Sequence, residues 1–251
     1  MNLKDYEYYR TDLGVLYHGD CLQIMPELEP VDLVLTDPPY GVTKNNWDIL
    51  ESTKAAFDML IPCNLVFTCQ NPASAELIIR YFKYFKWSDV WYKSQSTGFL
   101  NSKVMPLRQH EDILIFSKGR MVYNPQITKK NPANIRPHGD CSPVNQTYGH
   151  FNAKRTRTID ICESYPRSVF YCENSQNGYH SNEKPLKLMI YLILTYSDNT
   201  HLILDPFFGS GTTAIACERL KRRWIGIEIE EKYCEIAAKR IEAERKQLKL
   251  F

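Results

Sequence analysis

The sequence predicts an α/β domain built on a doubly wound, mostly parallel sheet, and two stretches carry that prediction. In the first, Val31, Leu33 and Leu35 alternate with Asp32, Val34 and Thr36, a short run of strand formers that stops at Asp37-Pro38-Pro39-Tyr40. In the second, residues 201–204 read as a buried strand that enters Asp205-Pro206-Phe207-Phe208-Gly209-Ser210-Gly211-Thr212-Thr213 and then an apolar helix over 214–220. A strand at 224–229 follows, so strands and helices alternate near both ends of the chain. With 251 residues, 43% of them hydrophobic, the chain can bury one full α/β core and carry a small inserted lobe.

Taken in order, residues 1–10 are polar and expected at the periphery. A strand at 15–17 leads to Gly19-Asp20-Cys21-Leu22 and a helix reaching residue 28, which Asp20 can cap. After the tetrapeptide come a polar stretch (41–50), a helix at 52–60, a strand at 65–69 and a helix over 72–85 with Ala75, Leu77, Ile78 and Tyr81 at helical spacing. Strands at 90–92 and 113–116 flank a long loop expected to face an active site or a nucleic acid. Residues 119–176 have little periodicity, several prolines and many Asn, Gln, Arg, His and Tyr. Pro185 suits a helix start, and the helix runs over 186–196. The last helix covers 230–246.

Proline has no N–H and fixes its own torsion, so the strand before Asp37 must end there and the next peptides are stiff. A carboxylate, rigid carbonyls and an aromatic ring are thereby presented together, a setting for a planar substrate with N–H donors. Taken alone, the tetrapeptide is equally a loop in which two prolines break a strand. The second stretch adds weight. Gly209 and Gly211 permit a tight strand-to-helix turn and close approach of a ligand, and Glu228 falls where such folds place an acid on ribose hydroxyls. A dinucleotide fingerprint would need a third glycine where Ala214 stands, and a phosphate loop ending in Gly-Lys-Ser/Thr is absent. What is left is a nucleoside cofactor without a pyrophosphate, and S-adenosylmethionine fits.

Net charge is only +2, but residues 118–167 hold nine Lys and Arg against three Asp and Glu. Such a basic, polar segment suits a phosphate backbone, or else is a solvated surface loop. The eight cysteines form no C-x-x-C pair and no zinc-like spacing, which predicts buried thiols, no metal and a reducing cytoplasm. No signal peptide or membrane span is expected.

The stretches GDCL (19–22), TDPPYG (36–41), HEDILIFSKG (110–119), HSNEKP (180–185), DPFFGSGTT (205–213) and GIEI (226–229) resemble the signature blocks of DNA amino-methyltransferases. Their order, catalytic block first and cofactor block last, resembles the permuted beta subgroup. The resemblance implies a Rossmann-like, seven-stranded-type methyltransferase fold, with a catalytic half (1–118), a target-recognition insertion (119–176) and a cofactor half (177–246). It implies methylation of adenine N6 in duplex DNA, with Asp37, Pro38, Pro39 and Tyr40 as the catalytic set. S-Adenosylmethionine would be held by Asp20, Cys21, Lys184, Pro185, Asp205, Phe207, Gly209, Gly211, Thr212, Thr213 and Glu228. Lys184 would take its carboxylate, although Ser-Asn-Glu replaces the usual Pro-Thr-Gln before it. By the same analogy residues 41–50 form a loop closing on a flipped base, and His110-Glu111 opens a structural strand outside the chemistry. Lys154, Arg155 and Arg157 would contact phosphates. Homodimers are common among such proteins.

The nearest other activity is N4-cytosine methylation, with the same fold and cofactor but Ser-Pro-Pro-Tyr commoner; enzymes that methylate an amine of RNA or a protein glutamine tend to carry Asn at the first position and lack the permuted order. A silent DNA-binding protein that kept the fold is the alternative of another class. Finally, Gln247-Leu248-Lys249-Leu250-Phe251 resembles the peptide by which bacterial replication and repair proteins dock on the sliding clamp; its apolar tip could equally tuck onto the domain.

Overall fold

In the computed structural model, residues 2–41, 50–60, 63–129, 144–145, 149–150, 163–175 and 183–248 are described. Trp47, Lys154, Arg155, Arg157, His180, Leu250 and Phe251 lie outside them. The strands in chain order are β1 (Glu7–Arg10), β2 (Gly14–His18), β3 (Leu33–Thr36), β4 (Asn64–Cys69), β5 (Phe85–Thr97), β6 (Arg108–Phe116), β7 (Thr128–Lys129), β8 (Val144–Asn145), β9 (Gly149–His150), β10 (Glu163–Ser164), β11 (Val169–Cys172), β12 (Leu202–Asp205) and β13 (Arg223–Glu228). The helices are α1 (Cys21–Ile24), α2 (Leu50–Leu60), α3 (Ala73–Arg80), α4 (Leu186–Tyr196), α5 (Thr212–Leu220) and α6 (Glu231–Leu248).

Nine strands form one sheet in the order β1-β2-β13-β12-β3-β4-β6-β5-β11. From β2 to β4 every neighbour is parallel, while β6 runs against both β4 and β5. Side chains alternate across this sheet with period two, and both faces are covered. Leu16, Leu33, Leu35, Val66, Ile203 and Trp224 point to the face packed by α4, α5 and α6. Val15, Val34, Leu65, Phe67, Leu204 and Ile227 point to the face packed by α1, α2 and α3. That is why β3 and β12 are buried along their whole length and read as continuous apolar runs.

Four elements differ from expectation. Residues 7–10 are not merely peripheral: β1 pairs antiparallel with β2. The helix expected over 72–85 stops at Arg80, and the aromatic run from Phe85 enters β5 instead. β5 is thirteen residues long, but it alternates only in part: polar Asp89 and Lys93 stand at inward positions and hide the pattern, and its last four residues are exposed. β11 falls inside the stretch expected to form the recognition insertion, and it pairs parallel with β5 in the main sheet.

The chain divides into two compact units, one of residues 1–124 and 168–251 and one of residues 125–167. Asn124 marks the first boundary, its N–H donating to the Thr195 carbonyl at 2.7 Å. Within the second unit β7 pairs antiparallel with β10, and β8 with β9. No described helix is long and apolar enough to cross a membrane. Cys21, Cys63, Cys69, Cys172, Cys217 and Cys234 are free thiols.

Candidate active site

The tetrapeptide and the glycine turn leave the carboxyl ends of β3 and β12, which are parallel neighbours paired through Leu33–Ile203 and Val34–Leu204. Residues 168 apart in sequence thus emerge side by side on one sheet edge, where ligands bind in open α/β folds. One bond ties the two together: the Thr36 hydroxyl donates to Asp205 Oδ1 at 2.6 Å. Tyr40 and Phe207 pack against the same hydrophobic cluster, so the two motifs share a face as well as an edge.

Around Asp37 the donors are specific. Thr68 Oγ1 donates to Oδ1 at 2.6 Å. The Tyr40 hydroxyl shares its one proton between that oxygen and the Thr68 carbonyl, the latter at 2.6 Å. The Lys184 ammonium donates to Oδ2. A carboxylate offers about four lone-pair sites, so a site is left to accept a further N–H. Pro38 and Pro39 are buried, and the Thr53 hydroxyl fixes the Pro39 carbonyl at 2.6 Å. Burial, and then the Asp37 carboxylate, pushes the Tyr40 phenol well above its ordinary pKa, so it is a neutral donor.

The resemblance puts Lys184 on a cofactor carboxylate; within the chain its ammonium is engaged by Asp37 and, at 3.4 Å, by Glu111. Burial disfavours its charge, but those two carboxylates outweigh it and hold its pKa above the ordinary value. The neighbouring Glu183, at the position where the resemblance expects Gln, pairs with Arg240 of α6 at 2.6 Å. Arg240 also donates to the Ser210 carbonyl at 2.6 Å, which links the Lys184 arm to the glycine turn.

The turn is held by its own chain. Phe208 is buried and stacks on Trp224 at 5.6 Å, lying flat over Gly226, where a Cβ would come within 2.3 Å of its ring. Asp205 accepts Thr36 Oγ1, Thr213 Oγ1 at 2.6 Å and the Phe207 N–H at 3.2 Å. Its carboxylate is 4% exposed, and burial pushes its pKa up to about 6. Gly211, at φ +82°, starts α5, and Thr212 is buried in its first turn. Gly209, at φ +54°, donates its N–H to Glu228 Oε2 at 2.6 Å, and a Cβ there would meet nothing within 4 Å. That is open space beside a buried carboxylate at the end of β13. On the far side the Glu228 carbonyl accepts the Gly19 N–H at 2.9 Å, bringing in Asp20 and Cys21. Asp20 caps α1 through the Leu22 N–H at 2.9 Å, as its local sequence allowed. Burial pushes the Cys21 thiol up to about 12, so it is a packing group and no nucleophile. Pro185 caps α4.

Three contributors escaped the sequence reading: Thr68, Glu111 and Lys93. Their trace was a polar side chain at an inward strand position. The loop expected between β5 and β6 is the end of a hairpin. Because β5 runs in the direction of β3, this hairpin turns on the same edge as Asp37, with Phe99, Leu100 and Val104 exposed.

A glycine turn with a buried carboxylate thus stands beside a rigid Asp-Pro-Pro-Tyr on the next parallel strand, the arrangement of a nucleotide-type α/β enzyme site. The chain belongs to the DNA methylase family, the N6/N4 methyltransferases, whose family pattern matches residues 60–239. It is 27% identical over 268 residues to the type II methyltransferase M.BamHI of Bacillus amyloliquefaciens, a match that covers 97% of this chain and 60% of that protein. With the DNA adenine methyltransferase YhdJ of Escherichia coli it shares 25% over 258 residues, 93% of this chain and 84% of the other. The crystal structure of an M1.HpyAVI–SAM complex superposes with a TM-score of 0.58 at 25% identity, covering 90% of this chain and 98% of that one. The cytosine-N4-specific PvuII DNA methyltransferase superposes at 0.63 with 18% identity, over 98% and 96% of the two chains, which speaks for the fold alone.

Proposed function

We propose that this protein is a site-specific DNA methyltransferase that moves a methyl group from S-adenosylmethionine to N6 of an adenine flipped out of duplex DNA. The observation that carries the reading is the Thr36–Asp205 bond between neighbouring strands, which sets the acceptor tetrapeptide beside the glycine turn. M1.HpyAVI binds this cofactor and YhdJ acts on adenine, in keeping with both halves of the proposal.

The residues present fit the cofactor: open space over Gly209 lies next to the buried Glu228 carboxylate, as a nucleoside with ribose hydroxyls requires. Asp20, Cys21, Phe207, Gly209, Gly211, Thr212, Thr213 and Glu228 would hold it, with Asp205 supplying negative charge beneath. When bound, it supplies an electrophilic methyl on a sulfonium.

The chain's own task is to make a poor nucleophile competent. The lone pair of an exocyclic amine is delocalised into the ring. Asp37 and the Pro38 carbonyl accept its two N–H groups and turn them out of plane, which localises the lone pair. Each such orienting or electrostatic effect supplies several kcal/mol. Tyr40 stacks on the base once it has left the duplex, since the amine is inaccessible within the stack. The amine loses its extra proton after transfer, so no strong general base is needed. Residues 125–167 form the recognition unit, with Lys154, Arg155 and Arg157 on phosphates, and the β5–β6 hairpin faces the DNA. Pairing with a second copy rests on the resemblance alone.

The test is labelled S-adenosylmethionine with duplex DNA, then digestion and chromatography of the nucleosides. N6-Methyladenine is expected; labelled N4-methylcytosine would move the assignment to the cytosine enzymes, and unlabelled DNA would leave a silent binding protein. Gly209→Ala puts a methyl group into the open space at a left-handed torsion, so cofactor affinity by calorimetry should fall about tenfold, with Tm down only about 2–4 °C. An unchanged affinity would remove Gly209 from the cofactor site. For the carboxyl-terminal peptide we propose sliding-clamp docking: deletion of residues 247–251 should abolish capture by the host clamp. In the described part, Leu248 is 42% exposed at the end of α6.

A further inference from the structure

Three buried charged side chains, Lys184, Glu111 of β6 and Lys93 of β5, form a chain of ion pairs that ends on the half-buried Asp37. Glu111 and Lys93 are each 4% exposed. The two oxygens of Glu111 do different things. Oε1 is saturated, accepting from the Lys93 ammonium and from Gln70 Nε2 at 2.9 Å. The Gln70 amide is oriented by Arg108, whose Nη1 donates to Gln70 Oε1 at 2.9 Å; a guanidinium can only donate, so the amide N–H₂ must face Glu111. Among the described residues Oε2, which is buried, accepts no hydrogen bond, and it faces the Lys184 ammonium at 3.4 Å.

A buried carboxylate oxygen without a hydrogen bond is costly. Here it attracts the ammonium without capturing it, and the ammonium donates to Asp37 Oδ2 instead. We propose that Glu111 is a positioning residue for methyl transfer: it seats Lys184 against Asp37 and so fixes the direction in which that carboxylate accepts the substrate amine. The inference rests on the methyl-transfer reading. The electrostatics agree: burial pushes the Glu111 pKa up, but Lys184 and Lys93 outweigh it and leave it below its ordinary value. Glu111 is therefore held as a carboxylate and Lys184 as an ammonium. His110, its neighbour on β6, is exposed on the other face, so the two residues of the His-Glu pair do not work together.

Glu111→Gln keeps the shape and removes the charge, but leaves two buried ammonium groups sharing one carboxylate. A loss of activity could then come from a damaged fold. The double variant Glu111→Gln with Lys93→Met restores the charge balance and separates the two causes. Both are assayed with labelled cofactor and duplex DNA at saturating concentrations, beside the wild type, whose own turnover tests the methyl-transfer reading separately. In Glu111→Gln we expect kcat to fall about tenfold or more, with KM for cofactor and DNA within about threefold. In the double variant Tm should recover to within a few degrees of wild type while kcat stays at the level of the single variant. Recovery of kcat together with Tm would overturn the proposal and reduce Glu111 to a counter-ion for Lys93. A rise in KM at unchanged kcat would overturn it too.

Discussion

Asp37→Ala should lower kcat by about 10³-fold or more, while affinity for S-adenosylmethionine changes little. The split follows from where each oxygen of Asp37 goes. Thr68 and Tyr40 hold one, Lys184 holds the other, and one lone-pair site remains for the acceptor amine. Among the described residues, no hydrogen bond or ion pair of Asp37 reaches the glycine turn; the halves are joined one residue earlier, at Thr36. Truncation therefore removes the amine acceptor without loosening Gly209, Glu228 or Phe208. It also leaves Lys184 with Glu111 as a partner, so the ammonium is not orphaned in the interior. Single-turnover transfer and cofactor calorimetry on the same preparation read the two quantities. A variant that transfers at near wild-type rate would end the assignment of Asp37. A variant that has lost its cofactor as well would show that the tetrapeptide is part of the donor site.

The same distribution of contacts explains why the parts of this site were unequally legible in the sequence. Asp37-Pro38-Pro39-Tyr40 and Gly209-Ser210-Gly211 are marked by backbone requirements, which are local. Two prolines end a strand wherever they occur, and a left-handed torsion asks for glycine. Short, mostly apolar runs likewise located β3, β4, β12 and β13, because both faces of the sheet are covered and most of their side chains are buried. The charge cluster has no such local mark. Lys184 meets Asp37 across 147 residues, and Lys93 meets Glu111 across 18, through register in the sheet. Nothing short of the strand order β4-β6-β5 brings those side chains together. For Glu111 and Lys93 the only trace is a charge at an inward position of a strand, where it weakens the hydrophobic alternation and blurs the element itself. That is how β5 was read as three residues in place of thirteen. Glu183 shows the same limit. As a departure from Gln it looks like a loss, until Arg240 is seen beside it holding both that carboxylate and the Ser210 carbonyl. Phe207 and Phe208 are adjacent aromatics in sequence, and only packing distinguishes the one anchored against Trp224 from the one facing the cleft side.

The second large effect is a pH dependence set by Asp205. Burial raises its pKa from an ordinary 3.8 to about 6, although Thr213, Thr36 and the Phe207 N–H all donate to its charged form. A carboxyl raised in the fold contributes stability that is fully present below the unfolded value and is lost as pH rises through the folded one. Between about pH 4 and pH 6 the folded protein should therefore lose about 3 kcal/mol that the variant Asp205→Asn, which has no proton to release, keeps. Glu228, also raised by burial, titrates in both proteins and cancels in the difference. The Tm of Asp205→Asn minus that of wild type should thus grow by about 5–10 °C from pH 4 to pH 7. A flat or falling difference would mean that the three donors, not burial, govern this group. A chain that keeps a carboxylate at a loss of stability at neutral pH has a use for its charge, and the donor's sulfonium and ammonium are cations. Cofactor affinity should accordingly be about tenfold weaker in Asp205→Asn at pH 8 and within about twofold of wild type at pH 5, where the wild-type carboxyl is mostly protonated. Equal affinities at both pH values would make Asp205 a clamp for the turn through Thr36 and Thr213 and nothing more.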